Sequence, residues 1–254
     1  MGVVNVTPDS FSDGGRYLDP SAAIAHARRL VAEGADVIDI GGESTRPGAA
    51  PVAEGDECSR VVPVIEAIKG EVRISIDTRK AAVARAAVAA GATLINDVSA
   101  TLWPVAADTG VAWSAMHMQG QPQTMQSEPR YADVVAEVRD FLVERAACAV
   151  DHGVEEVWID PGIGFGKTVA HNLSLLGHID TFVATGFPVM IGTSRKRFLG
   201  ALLGESDRRS GPTATDDRLE GSLATASWAL SQGVQMVRVH DVKATVEAAK
   251  VVAA

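Results

Sequence analysis

Eight places in this chain set a polar group or a glycine directly after a short apolar run: Asn5, Gly42-Glu43, Asp77, Asn96-Asp97, His117, Asp160, Gly192, and Arg238 with His240. One such residue is an ordinary loop start. Eight in succession describe a ring of hydrogen-bonding groups above an apolar floor, the arrangement of a ligand pocket. Two long glycine-rich loops follow the first two runs, Asn5–Gly15 and Gly41–Ala49. Most connections of this kind need about two to six residues, so length plus glycine and hydroxyl groups suggests loops that close over a substrate. The second loop carries Arg46, whose planar fork suits a phosphate or carboxylate.

Two further segments have chemical potential. Asp160-Pro161-Gly162-Ile163-Gly164-Phe165-Gly166-Lys167 is reminiscent of a nucleotide phosphate loop, but its glycine–lysine pair comes one residue too early for GxxxxGK[ST]. The better reading is a carboxylate followed by a glycine turn that lets a flat ligand approach the backbone. Gly192-Thr193-Ser194-Arg195-Lys196 ends the seventh run and enters a helix, at the place where many barrels bind phosphate. Lys196 in a first helical turn is disfavoured by the helix dipole, which argues for a functional role.

The elements that must position these groups alternate regularly. Strands are expected at Gly2–Asn5, Asp36–Ile40, Val72–Asp77, Thr93–Asp97, Ala112–His117, Glu156–Asp160, Pro188–Gly192 and Gln235–His240. Between them run alanine-rich segments with helical spacing, clearest at Ala22–Glu33 and Asp133–Ala149. Gly34, Gly91, Gly153 and Gly233 stand where a left-handed turn would stop a helix before the next strand. Gly204–Asp217 reads as an exposed loop, with Asp216 or Asp217 capping the helix that runs to Gln232. Eight strands alternating with about eight helices, and no GxGxxG after the first, favour a closed (β/α)8 TIM barrel over an open doubly wound sheet. The 254 residues match the ~250 that such a barrel uses, so one domain over 1–254 is expected.

Composition narrows the partners. At 46% hydrophobic and 22% charged the chain can bury a large core. A net charge of −9 argues against a nucleic-acid binder and leaves room for a small anionic ligand in a local cationic pocket. Cys58 and Cys148 show no metal or disulfide spacing, as in a reducing compartment. No segment reads as a signal peptide or reaches the ~18 apolar residues of a membrane span. A cytoplasmic protein without membrane partners is expected.

The segments in order, NVTPDSFSDGG at Asn5–Gly15, GGESTRPGA at Gly41–Ala49, SIDT at Ser75–Thr78, NDVS at Asn96–Ser99, MHMQGQPQTMQ at Met116–Gln126, DPGIGFGK at Asp160–Lys167, GTSRKRFLG at Gly192–Gly200 and RVHDV at Arg238–Val242, resemble the dihydropteroate synthase family of pterin-binding enzymes across essentially the whole chain. The resemblance implies condensation of 6-hydroxymethyl-7,8-dihydropterin pyrophosphate with para-aminobenzoate to 7,8-dihydropteroate and pyrophosphate, a transferase step of folate biosynthesis. It implies that Asp77, Asn96 and Asp160 hydrogen-bond the amino-pyrimidine edge, with Lys196 beside the ring and Met116 and Phe165 lining it. The pyrophosphate would meet Asn5, Thr45, Arg46, Arg238 and His240, with Mg2+ on Asn5. Para-aminobenzoate would lie near Phe11, Pro47 and Ser194, where sulfonamides would compete, and would bind only after pyrophosphate and Mg2+. The catalytic groups so implied are Lys196, Arg46, Arg238 and His240. The family further implies a homodimer formed through outer helices near strands seven and eight.

The chain departs from the family pattern in two places. It begins inside the first strand, and it has Ala100-Thr101 where many relatives carry glycines. Two alternatives share the pterin carboxylates. A methyltetrahydrofolate-dependent methyltransferase would not need the first-loop and SRK segments. A non-catalytic pterin-binding paralogue would not need Arg46, Lys196, Arg238 and His240.

Overall fold

The computed structural model describes residues 1–7, 20–44, 49–121 and 124–254. Among these, the strands are β1 (Gly2–Asn5), β2 (Val37–Gly41), β3 (Arg73–Asp77), β4 (Leu94–Asp97), β5 (Ala112–Met116), β6 (Val157–Asp160), β7 (Met190–Ile191) and β8 (Met236–Val237). The helices are α1 (Pro20–Ala32), α2 (Glu54–Ile68), α3 (Ala81–Ala90), α4 (Trp103–Thr109), α5 (Val134–Asp151), α6 (Val169–Gly177), α7 (Ile179–Val183), α8 (Arg197–Ser206), α9 (Leu219–Ser231) and α10 (Val242–Val252).

Strands β1 to β6 form one parallel sheet in sequence order, and β7 pairs with β8. Single bridges join the two sheets on both sides, Ile159 to Val189 and Gly2 to Val239. This is the (β/α)8 barrel expected from the alternation, its ring completed by bridges rather than by continuous ladders. Strands seven and eight are shorter than their apolar runs for that reason.

Each strand points alternate residues inward and outward. The outward set, including Ile38, Ile40, Ile74, Ile76, Ile95, Trp113 and Ile159, packs against Leu30, Val61, Ile65, Ala87 and Leu142 of the surrounding helices. Each such fully buried Ile contributes about 2 kcal/mol. The inward set divides by height. Met1, Val37, Leu94, Ala112 and Met190 form a separate apolar plug, with Trp158 and Met236 against it. One layer higher the inward residues turn polar.

The four expected helix-stopping glycines, Gly34, Gly91, Gly153 and Gly233, all have positive φ. Asp133 caps α5 by accepting from the Val135 and Ala136 amides. Asp216 and Asp217 do not cap α9. They lie in a 3-10 turn at Thr215–Asp217, and the residue before α9 is Arg218, which is buried and donates to the Thr213 carbonyl. Lys196 precedes α8 rather than occupying its first turn.

Candidate active site

Parallel register links the upper ends of the strands. Asn5 pairs with Gly41, Gly41 with Asp77, Asp77 with Asn96, and Met116 with Asp160. Asn96 in turn pairs with Ser114 and Ser114 with Trp158, so Met116 and Asp160 stand two residues further along their strands than the Asp77–Asn96 row, on the same side of the apolar plug.

A charge network lies among these strand ends. Arg238 donates from Nε to Asp39 Oδ2 at 2.5 Å and from Nη2 to Asp77 Oδ2 at 2.7 Å. Asn96 Nδ2 donates to the same Asp39 oxygen at 3.0 Å. Asp39 is fully buried and its other oxygen, Oδ1, has no partner. An orphaned buried carboxylate oxygen is costly unless a ligand or water meets it. Asp39 was missed as a site residue. Its signal was available, as a carboxylate at an inward position of the otherwise apolar run Val37-Ile38-Asp39-Ile40.

Burial tunes the remaining groups. Desolvation pushes Asp77 up to about 7, helped by the nearby Asp39 and opposed by Arg238. Asp160 is likewise raised by burial, although its carboxylate accepts the Gly162 amide at 2.7 Å. Burial alone would weaken the Arg238 cation, but Asp39 and Asp77 outweigh it and keep the guanidinium charged. Lys196 is lowered to about 8, chiefly by desolvation, and its Nζ stands 4.0 Å from the Phe165 ring centroid. Met116 closes the apolar side at the end of β5.

His240 and Ser194, assigned to different ligands above, touch each other. Ser194 Oγ lies 3.0 Å from His240 Nδ1 and accepts the His240 backbone amide at 3.2 Å. The contact engages Nδ1 and leaves Nε2 as the ring nitrogen not held by Ser194. Burial first and Arg238 second lower His240 to about 4, so it is neutral at physiological pH.

Three sequence readings need correction. Asp97 points outward and is consumed by the turn after β4, accepting from Ser99, Thr101, Leu102 and Trp113. His117 serves a buried Lys167, whose Nζ lies 3.0 Å from His117 Nδ1. Two of the three glycines of DPGIGFGK bring backbone against backbone: a Cβ at Gly162 would sit 1.9 Å from the His117 carbonyl oxygen, and one at Gly166 would sit 2.3 Å from that of Gln119, while Gly164 faces the Lys196 side chain. Glu43, at the root of the second long loop, is tied to Lys80, which also bonds buried Glu57 at 2.6 Å. The glycine departure after NDVS has a structural trace, since Ala100 takes φ +52, a conformation that suits glycine. Phe11, Thr45, Arg46 and Pro47 lie outside the described residues.

For the implied Mg2+, the available ligand is Asn5, at the end of β1, whose side chain has no hydrogen-bond partner among the described residues. No cluster of three or more His, Cys, Asp or Glu suited to a metal occurs among them. A neutral oxygen on the rim fits a largely hydrated Mg2+ completed by ligand oxygens, and does not fit a protein-caged metal.

Comparison with known proteins agrees with this geometry. Residues 1–240 match the family model described as pterin binding enzyme. The dihydropteroate synthase of Escherichia coli K12 is 47% identical over 262 residues, spanning 100% of this chain and 90% of that protein. The Yersinia pestis dihydropteroate synthase, solved in a sulfonamide drug complex, superposes with a TM-score of 0.90 at 45% identity, covering 100% of this chain and 92% of that one. The Xanthomonas albilineans enzyme in complex with 7,8-dihydropteroate superposes with a TM-score of 0.86 at 45% identity, covering 99% and 90%. The chain belongs to the pterin-binding enzymes and, within them, to the dihydropteroate synthases.

Proposed function

We propose that this protein joins para-aminobenzoate to 6-hydroxymethyl-7,8-dihydropterin pyrophosphate, releasing pyrophosphate. The observation that carries the reading is the set of polar groups itself: Asp77, Asn96 and Asp160, each buried or half-buried at the upper end of its strand near Arg238, above an apolar plug. The edge of a pterin alternates donors and acceptors. Two carboxylates and an amide pair with it, and a ligand lacking those groups leaves buried oxygens unmatched.

The chemical step needs little proton transfer from the protein. One C–O bond breaks at the pterin methylene and one C–N bond forms to the arylamine, which is already unprotonated at neutral pH. The amine proton leaves with solvent. Charge grows on the departing pyrophosphate, and here the side chains act. Arg238 remains a cation with Nη1 uncommitted while Asp39 and Asp77 fix its orientation. Neutral His240 would donate from Nε2 if Ser194 gives its proton to Nδ1, and Arg46 and Thr45 of the second loop would complete the cradle. Lys196, set over Phe165, would hold the pterin ring, and the arylamine substrate would lie near Ser194, Phe11 and Pro47. Asn5 would hold Mg2+, whose charge would offset that of the leaving group.

The setting follows the same reading. Free Cys58 and Cys148 suit the cytoplasm, and no helix among the described residues is long and apolar enough to cross a membrane. Half-exposed Trp228 on α9 and Leu173 on α6 support a homodimer formed on that side. Sulfonamides are expected to compete with para-aminobenzoate. The test is pyrophosphate release: it should require both substrates and Mg2+, and its absence with both present would favour a ligand-binding protein without catalysis. Calorimetry should also find para-aminobenzoate binding only in the presence of pyrophosphate and Mg2+.

A further inference from the structure

Arg195 stands in a conformation that its side chain does not favour. The Lys196 amide donates to the Thr193 carbonyl at 3.1 Å, closing a turn with Ser194 and Arg195 at its centre. Arg195 has φ +58, while Ser194 is not among the residues with positive φ. That combination belongs to a type II turn, whose third position normally takes glycine or asparagine. Here an arginine fills it, between two residues of the site.

Four hydrogen bonds hold that strained residue. Its amide donates to Ser222 Oγ at 2.9 Å, and its carbonyl accepts from Arg218 Nη1 at 3.0 Å. Its guanidinium makes a two-pronged contact with Asp241, Nε to Oδ2 at 3.0 Å and Nη2 to Oδ1 at 2.5 Å. Asp241 directly follows His240, so the loops after β7 and β8 are joined twice, by Ser194 with His240 and by Arg195 with Asp241.

The simplest alternative is a rim ion pair, worth little because the Arg195 side chain is 38% exposed. Such a pair gives no reason to place an arginine where glycine would relieve strain. Backbone strain kept at a site and fixed by its surroundings is a means of holding neighbouring groups in place. We propose that Arg195 is the positioning residue that aims Ser194 at the arylamine substrate and Lys196 at the pterin ring, with Asp241 as its anchor. The proposal rests on the function given above and adds a residue to it.

Arg195→Gly separates the two readings, because it removes the strain and the fork together. Expected are an unchanged or higher melting temperature, a kcat/KM lowered about tenfold or more, and a raised KM for para-aminobenzoate, since small displacements of positioned groups are expensive. Asp241→Asn leaves the turn and the arginine intact and weakens only the fork. It should move KM and kcat in the same direction by less, which keeps the idea testable if the glycine variant folds poorly. Calorimetric affinity for 6-hydroxymethylpterin should fall in both variants, a readout independent of turnover. Wild-type KM, kcat and pterin affinity in both variants would overturn the proposal, as would a lowered melting temperature with those values unmoved. A wild-type enzyme that releases no pyrophosphate but whose two variants bind pterin more weakly would instead defeat the assigned reaction and leave the role of Arg195 standing.

Discussion

Two desolvated lysines, one buried and one half-buried, flank the polar groups and do opposite things. Lys167, at the corner between β5 and β6, places its Nζ 3.0 Å from His117 Nδ1, 3.2 Å from the His117 carbonyl and 3.1 Å from the Phe165 carbonyl. Its three donors are matched to three internal acceptors, and it fastens one loop to the next. Lys196, at the corner between β7 and β8, has only the face of Phe165, with no hydrogen bond from Nζ among the described residues. Desolvation lowers both, Lys167 to about 7 and Lys196 to about 8. Lys167 is buried and Lys196 half-buried, and they differ above all in how their donors are satisfied. A desolvated cation whose donors are all used is part of the scaffold, and one left partly unmatched beside open space is waiting for a ligand.

Exchanging each lysine for methionine is the sharpest way to break this contrast. Lys196→Met should lower kcat/KM by about a hundredfold or more, with a melting temperature equal to wild type or higher. The alkaline limb of kcat/KM should fall near pH 8, where free Lys196 loses its proton facing Asp160, Asp77 and Arg238. Lys196→Arg should push that limb beyond the measurable range. Unchanged activity in the methionine variant would make Lys196 a scaffold residue as well.

Asp160→Ala should weaken pterin binding, read by calorimetry, by about tenfold to a hundredfold, at 1–3 kcal/mol for each ligand donor left unmatched. The fold should survive, since among the described residues the Asp160 carboxylate accepts only the Gly162 amide. Lys167→Met should do the reverse, costing about 2 kcal/mol of stability by orphaning two carbonyls while leaving pterin affinity near wild type. The sign with pH is fixed by the direction of the shift. Lys167 titrates near 7 when folded and near its ordinary value, 10.5, when unfolded, so the unfolded chain binds more protons between those values. Wild-type stability should gain a rising component from pH 7 upward, and the methionine variant should lack it. A parallel pH dependence in both would show that Lys167 is not the group responsible.

The smallest expected effect lies away from both lysines. Ala100→Gly should stabilise the protein by up to about 1 kcal/mol, because glycine accepts the positive φ without strain. That amounts to about 2 °C in melting temperature for a chain of this size, with kcat unchanged.

The barrel was legible because its evidence is local. Eight apolar runs, each closed by a polar residue or glycine, and helices stopped at Gly34, Gly91, Gly153 and Gly233 need only short-range pattern to be seen. Asp77, Asn96 and Asp160 were legible for the same reason, since each is an inward residue at the top of its strand. Asp97 and His117 were misread as pocket groups because a strand end in sequence does not say which way its last residue points. Alternation along β4 separates Asn96 from Asp97, and alternation along β2 would have exposed Asp39, but only once register and the inward direction are known.

The amino-acid sequence by itself determined which residues are available: the carboxylates, the amide, the arginines and lysines, and the order in which strands deliver them to one rim. Only the tertiary structure decided which of those groups spend their hydrogen bonds on one another. Lys167 and Lys196 both follow a glycine-containing segment and both are desolvated, yet one finds carbonyls from residues 117 and 165 and the other finds an aromatic face. Asp39 and Arg238 are 199 positions apart and meet because β8 closes the ring beside β1. Hydrogen bonds and charge pairing act over a few ångströms, so the partners of a polar side chain are set by chain closure, which local pattern does not encode.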